Sequence, residues 1–308
     1  MSVTIVIPSF KRPAIAARAV EAILPQLAEE DKCIVVVQGE EAERECATRE
    51  ITRVALKGGW NVGEEGPLVI LEQPVPGRAD ARNMGLLKAT TTYVVYVDDD
   101  SIARPGWLEA LLSPLEENRA DLVAGRAHEE PDTTTNAPRR VGAVLTWTGH
   151  TRRNFDADRS GTSRIVCSNN MAVRRDMALQ AGGFDTRFHE PAMYEDVEFS
   201  ERLRRMGARI WYSADAVVDH MVEPGGRWEQ DSESSEVGRA GHMSLIFRLH
   251  RPWGWPVMAA AYLAAAKWKV VIGRLPVRTI WKVAVALLRG WRMGSGRLPP
   301  LVERTGTT

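Results

Sequence analysis

Short β-branched runs alternating with stretches of helical periodicity constrain this chain more than any other feature. Val3-Thr4-Ile5-Val6-Ile7, ended by Pro8, reads as a buried parallel strand. Ile34 to Val37, Leu68 to Leu71 and Tyr93 to Val97 repeat the pattern, and another strand is expected near 121–125. Helical spacing of apolar residues fills about 13–28, 41–56, 78–89 and 106–117. This alternation implies βαβ units and an α/β fold, with a mostly parallel, Rossmann-like sheet flanked by helices. Ligands of such sheets lie outside the carboxyl ends of the strands. Pro8-Ser9, Gln38-Gly39 and Asp98-Asp99-Asp100 all fall at those ends.

The second half is less regular. Residues 149–163 are polar and read as a mobile loop. Helices are expected near 174–181 and 195–206, and short strands near 209–212 and 216–219. With 308 residues and 44% apolar composition the chain can bury a large core without disulfides. Cys33, Cys46 and Cys167 make no CxxC pair, which argues against a structural zinc site and fits a reducing compartment. Met1-Ser2-Val3-Thr4 runs straight into a strand pattern, so no signal peptide is expected.

Three adjacent carboxylates at the end of a buried strand repel one another, and a hard cation such as Mg²⁺ or Mn²⁺ would relieve that repulsion. In an extended turn Asp98 and Asp100 point to one side and Asp99 to the other. The alternative is a solvated acidic turn ahead of the helix near Gly106. Glu195-Asp196 opens another helix. There the two carboxylates either cap the positive end of the dipole or, in a cleft, offer a general base. His220 ends a short apolar strand, where a histidine is either structural or, close to a cation, a ligand. Arg78 and Arg82 share one face of the helix that follows Gly77, suited to phosphate contacts, unless Arg82 simply pairs with an acid. The glycines there do not make a GxGxxG pattern, and no GxxxxGK[ST] occurs in the chain.

Taken in order, these segments resemble family 2 glycosyltransferases of the GT-A fold. The resemblance rests on Val3 to Arg12, Gly77 to Gly85, Tyr96-Val97-Asp98-Asp99-Asp100, Ser168 to Arg175, Gly182-Gly183-Phe184-Asp185, Glu195-Asp196-Val197-Glu198 and His220. It covers about residues 3–220. It implies that Asp98 and Asp100 hold a divalent cation, Mn²⁺ or Mg²⁺, on the donor diphosphate, with His220 as a further metal contact. It implies that Asp196 is the catalytic base, with Glu195 the next candidate. Pro8, Ser9, Arg12, Gln38, Arg78, Arg82, Asp98, Asp99 and Asn170 are the implied nucleotide-sugar contacts. One departure stands out. Many relatives end the second strand with an acidic pair that contacts the base, whereas this chain reads Val37-Gln38-Gly39-Glu40. The expected reaction is inverting transfer from a nucleoside-diphosphate sugar to an acceptor hydroxyl, in cell-surface polysaccharide or glycolipid synthesis. A UDP-sugar is favoured, with dTDP- and GDP-sugars as the other options. The acceptor is a saccharide or lipid-linked, and no nucleic-acid partner is expected.

The expected division is a catalytic domain over 1–236, with a nucleotide-sugar half to about 125 and an acceptor half beyond it, followed by a basic amphipathic helical extension over 237–308. The net charge is zero, yet no Asp or Glu occurs from Val237 to Val302, against about eleven Lys and Arg. The apolar run Pro256 to Ala266 is shorter than the ~20 residues that span a bilayer. Basic helices carrying Trp253, Trp255, Trp268, Trp281 and Trp291 suit an anionic membrane interface, with each engaged cation contributing about 1 kcal/mol. Attachment of that kind is salt-sensitive, and it would place a cytoplasmic enzyme on the inner face of the plasma membrane. The alternative is a helical hairpin packed on the catalytic domain.

Two rival functions share parts of this pattern. A nucleotide-sugar pyrophosphorylase would carry a glycine-rich loop where this chain reads Pro8-Ser9-Phe10-Lys11-Arg12. A non-catalytic binding module of the same fold would be expected to have lost one of Asp98, Asp100, Asp196 or His220.

Overall fold

The computed structural model describes residues 2–128, 141–188, 194–221 and 233–295, together with Leu301. Its first half is built of β1 (Val3–Phe10), α1 (Pro13–Ile23), β2 (Lys32–Gln38), α2 (Glu41–Lys57), β3 (Leu68–Gln73), α3 (Arg78–Lys88) and β4 (Tyr93–Val97). The short β5 (Ser101–Ala103), α4 (Trp107–Glu116) and β6 (Leu122–His128) follow. β1 pairs in parallel with both β2 and β4, and β2 with β3, as β-branched runs buried on both faces require. α1 stops at Ile23 and tightens into a 3-10 turn over Leu24–Gln26, because Pro25 cannot continue the ladder. α3 lies so close to β1 that a side chain at Gly85 would collide with Val6.

The later strands turn the sheet into a mixed one. β7 (Gly142–Leu145) and β8 (Thr151–Asn154) form a separate hairpin, and β9 (Gly161–Thr162) pairs with β11 (Ile210–His220). The segment read from sequence as a loop over 149–163 therefore contains strands, whose alternation is hidden by polar side chains on exposed backbone. β10 (Asn170–Arg174) inserts antiparallel between β4 and β6, ahead of α5 (Arg175–Gln180). The two short strands expected at 209–212 and 216–219 are one strand, β11, with an irregularity between Ser213 and Val217. The described order is β3-β2-β1-β4-β10-β6-β11-β5. GT-A architecture, a mixed sheet with flanking helices and a helical C-terminal region, is thus what the chain adopts.

α6 (Glu195–Arg205) packs against α7 (Glu233–His250), which in turn packs against α8 (Trp255–Val271) and α9 (Arg278–Met293). The division expected after residue 236 falls inside α7. Met243, Ile246, Phe247, Met258 and Leu287 share one apolar cluster with Ile165, Phe188 and Val197 of the preceding α/β domain. The C-terminal helices are thus docked on that domain through a common core. Among the described residues no helix is long and apolar enough to cross a membrane.

Candidate active site

The site is assembled from the carboxyl ends of β1 and β4, the start of α3, the end of β11 and the start of α6. Two residues beside it have left-handed backbones without being glycine. Lys11 (φ 58°) turns the chain so that Arg12 faces the Asp98–Asp100 run, and Tyr194 (φ 68°) turns it into α6 so that Glu195 points inward. Such conformations persist only where the surroundings enforce them, and they concentrate at functional sites.

Arginines and acids interlock here. Arg12 bonds both Asp99 and Asp100, the latter at 2.6 Å. Ser9 Oγ donates to Asp99 Oδ2 at 2.8 Å. Arg82, fully buried, donates to Asp98 Oδ1 and Glu195 Oε1, each at 2.8 Å. Burial disfavours the Arg78 charge, but Asp98, Glu195, Asp100 and Asp99 raise its pKa above the ordinary value. Burial also opposes the Asp98 charge, and the Arg82 and Arg78 guanidiniums hold its carboxyl below the usual range. Asp99 is pushed up to about 7 by burial, against the opposing pull of Arg12. With Ser9 and Arg12 on its two oxygens, Asp99 serves to organise Arg12.

β5 doubles back antiparallel on β11, which pairs Ser101 with His220. His220 Nε2 thereby comes to 3.6 Å from Asp100 Oδ1. That oxygen is buried without a hydrogen-bond partner. Among the described residues no three His, Cys, Asp or Glu side chains form a ready-made metal cage. An orphaned carboxylate oxygen facing an imidazole, with Asp98 beside it, nevertheless fits a hard cation. Mg²⁺-type sites draw one or two ligands from carboxylates and the rest from substrate phosphates and water.

Glu195 and Asp196 are adjacent but unlike. Glu195 is buried and tied to Arg82, whereas Asp196 is half-buried and makes no salt bridge among the described residues. Burial and the neighbouring Glu195 charge push the Asp196 carboxyl up to about 6. Its Oδ1 accepts from the Val197 N–H at 2.7 Å. A carboxylate so tuned is ionised near neutrality yet basic enough to take a proton.

Three residues expected at the donor are buried within the sheet. Asn170 is 1% exposed: its Oδ1 accepts from the Trp107 indole N–H at 2.8 Å, and its Nδ2 donates to the Arg126 and Ala216 carbonyls. Its side chain locks β10, β6, β11 and α4 together, and Gly125 leaves room for it. Gln38 is buried, with Oε1 accepting from the Gly77 N–H at 2.8 Å, so it latches the end of β2 to the start of α3. Pro8 is buried within β1, where it pairs with Val36 of β2. Trp107 was not legible as a site-supporting residue, since an aromatic at the start of an apolar helix reads as core.

The fold and this acid–arginine constellation define a GT-A protein, and comparison with known proteins agrees. The glycosyl transferase family 2 profile matches residues 4–181, so the chain belongs to that family. It is 32% identical over 160 residues to a pre-mycofactocin glycosyltransferase of Mycobacterium tuberculosis, a match covering 52% of this chain and only 33% of the relative. It is 25% identical over 229 residues to a glucosyl-dolichyl phosphate glucuronosyltransferase of Haloferax volcanii, covering 72% of this chain and 69% of the relative. Among solved structures, a mannosyltransferase of Pyrobaculum calidifontis in complex with GDP-Man and Mn²⁺ superposes with a TM-score of 0.57 at 18% identity, covering 95% of this chain and 86% of that one. GalNAc-T7 with UDP, GalNAc and Mn²⁺ superposes with a TM-score of 0.63 at 12% identity, covering 89% and 58%.

Proposed function

We propose that this chain transfers a sugar from a nucleoside-diphosphate sugar to an acceptor hydroxyl, with inversion at the anomeric carbon. The observation that carries the reading is the polarity of the site. One end is the Arg12, Arg78, Asp98, Asp100 and His220 group, suited to a metal-bound diphosphate, and the other is Asp196, whose carboxyl is pushed up to about 6. Structures of the same fold that hold GDP-Man or UDP with Mn²⁺ support it.

The residues divide the work by chemistry. Arg12 and Arg78 present guanidiniums to the phosphates. A Mn²⁺ or Mg²⁺ ion held by Asp98, Asp100 and His220 would neutralise charge developing on the leaving diphosphate. Asp196 accepts the proton of the attacking hydroxyl, which must approach from the face opposite the departing diphosphate. Glu195 and Arg82 fix the distance between these two ends by bridging α6 to Asp98.

A UDP-, dTDP- or GDP-sugar fits the phosphate chemistry equally. With Gln38 Oε1 engaged by the Gly77 N–H, it is the Gln38 amide NH2 that is left to meet a base. We place the enzyme peripherally on the cytoplasmic face of the plasma membrane, acting on a saccharide or lipid-linked acceptor in surface glycan or glycolipid synthesis. The haloarchaeal relative, named for a glucosyl-dolichyl phosphate, supports a lipid-linked acceptor. The test is transfer assayed with a panel of nucleotide sugars and lipid-linked or free saccharides, comparing wild type with Asp196→Asn. Product formed by wild type alone supports the reading, and equal product from both excludes Asp196 as the base.

A further inference from the structure

The cations of the C-terminal region are largely engaged within the protein. Lys269 and Arg239 both reach the buried Glu236, at 2.7 and 2.9 Å. Arg278 and Lys282 converge on Glu233, at 3.4 and 3.0 Å. Arg251 pairs with Glu201 at 2.8 Å, and Arg248 lies over the Trp291 ring. Among the described cations of α7 to α9 and their connections, only Lys267, Arg274, Arg289 and Arg292 are engaged by neither an acid nor an aromatic ring. Glu233, Glu236 and Glu201 therefore offset part of the positive charge that the raw count of cations suggests, and fewer side chains are left to reach a separate anionic surface.

Their exposed surface is instead apolar. α8 buries Met258, Ala259, Tyr262 and Ala266 against the domain. Its opposite, solvent-facing side carries Val257, Ala260, Ala264, Trp268 and Val271 at helical spacing, interrupted by Lys267 alone. A helix on the surface of a globular domain normally turns polar residues outward, and one that is apolar all round seeks an apolar phase. The pattern continues around the corner into α9. Ile272 and Val277 flank the connecting turn, and Trp281 follows on α9. Trp268 is 64% exposed and Trp281 73% exposed. At about 1.5 Å per residue, 17 residues make α8 roughly 25 Å long, shorter than the hydrocarbon core. Two tryptophans, Lys267 and Arg274, on a segment with no acid in its own sequence from Trp255 to Met293, match the chemistry of a lipid headgroup layer above acyl chains.

We propose that α8 and the α8–α9 corner are an insertion element, lying in the plane of a lipid bilayer with their exposed apolar side beneath the headgroups. Apolar burial holds it there, and the four unpaired cations only bias it toward anionic lipid. This rests on the membrane reading above and changes its energetics from charge to insertion. The docked α7–α9 unit fixes the catalytic domain relative to the lipid surface, so an acceptor carried on lipid meets a site of set height.

The experiment is co-sedimentation of the full chain with phosphatidylglycerol-containing and pure phosphatidylcholine vesicles at low and high salt. Wild type, a Trp268→Ser/Val271→Ser/Trp281→Ser variant and a Lys267→Gln/Arg274→Gln variant are compared, with circular dichroism and Tm confirming that each is folded. Insertion predicts that raising salt weakens binding to anionic vesicles less than about tenfold. It predicts that the apolar variant loses at least about tenfold at either salt, and that lipids brominated on the acyl chain quench wild-type tryptophan fluorescence more than that of the variant. Binding abolished by salt and by the charge variant, with the apolar variant unchanged, overturns insertion and leaves electrostatic attachment. Absence of binding to both vesicle types overturns membrane attachment itself, as does a stable dimer of wild type in sedimentation equilibrium that the apolar variant dissolves.

Discussion

Arg82 and Glu195 form a buried 2.8 Å salt bridge that joins the helix after β3 to the first turn of α6. The same guanidinium reaches Asp98 at 2.8 Å, so one side chain sets the distance between the carboxylate run at β4 and the helix that carries Asp196. Removing one partner of a buried pair leaves an uncompensated charge, which costs about 3–5 kcal/mol. Arg82→Met is therefore predicted to lower Tm clearly and to impair both donor binding and turnover. Arg82→Lys keeps the charge but cannot bridge two carboxylates in the same geometry, and it should restore stability more than turnover. Thermal unfolding and steady-state kinetics on the two variants check this.

Asp196→Asn is predicted to cut turnover by about 10²–10⁴-fold while leaving donor affinity near wild type. A carboxyl pushed up to about 6 cannot accept a proton below that pH. The wild-type kcat profile should therefore rise as pH increases through about 6 and then level, and the residual rate of the variant should lack this limb. A profile flat from pH 5 to 8 would place the base elsewhere.

Glu195→Gln separates the roles of the neighbouring acids. The Glu195 charge helps raise the Asp196 pKa, so its removal should move the acid limb of the kcat profile to lower pH. A merely structural role would lower Tm and leave the limb in place. The pH profile and Tm, measured together, distinguish the two.

Asn170→Ala leaves the Trp107 indole N–H and the Arg126 and Ala216 carbonyls without their partner inside the sheet. Each buried unsatisfied group costs about 1–3 kcal/mol. The variant should lose several kcal/mol in urea unfolding, and loss of activity should follow loss of folded protein. A stable variant with weakened donor binding would instead return Asn170 to the donor site.

The parts of the fold legible in the sequence are those fixed by local pattern. β1 to β4 are runs whose β-branched residues admit one reading, and the acids at Asp98–Asp100 and Glu195-Asp196 follow such elements directly. What pairs over long range was not legible. The β5–β11 ladder that brings His220 to Asp100, the insertion of β10 beside β4 and the Trp107–Asn170 bond depend on tertiary placement. Asn170 and Gln38 are donor contacts only by the family resemblance, which carries no information about what each side chain meets inside this sheet. Here backbone carbonyls and an N–H left by the sheet required partners and engaged them. In the basic tail, composition counts every cation, but only packing shows which ones Glu233 and Glu236 hold.

The most direct test of the central claim is donor binding that depends on metal through Asp100. Isothermal calorimetry with nucleoside-diphosphate sugars, with Mn²⁺ and with chelator, should show binding by wild type only when metal is present. Thermal shift should show the same dependence, since donor at about 100 times its Kd adds roughly 2.7 kcal/mol to stability. Asp100→Ala, which removes the orphaned oxygen facing His220, should abolish the metal-dependent part. Failure of every nucleotide sugar to bind wild type with Mn²⁺, or binding unchanged by both chelator and Asp100→Ala, would contradict the account.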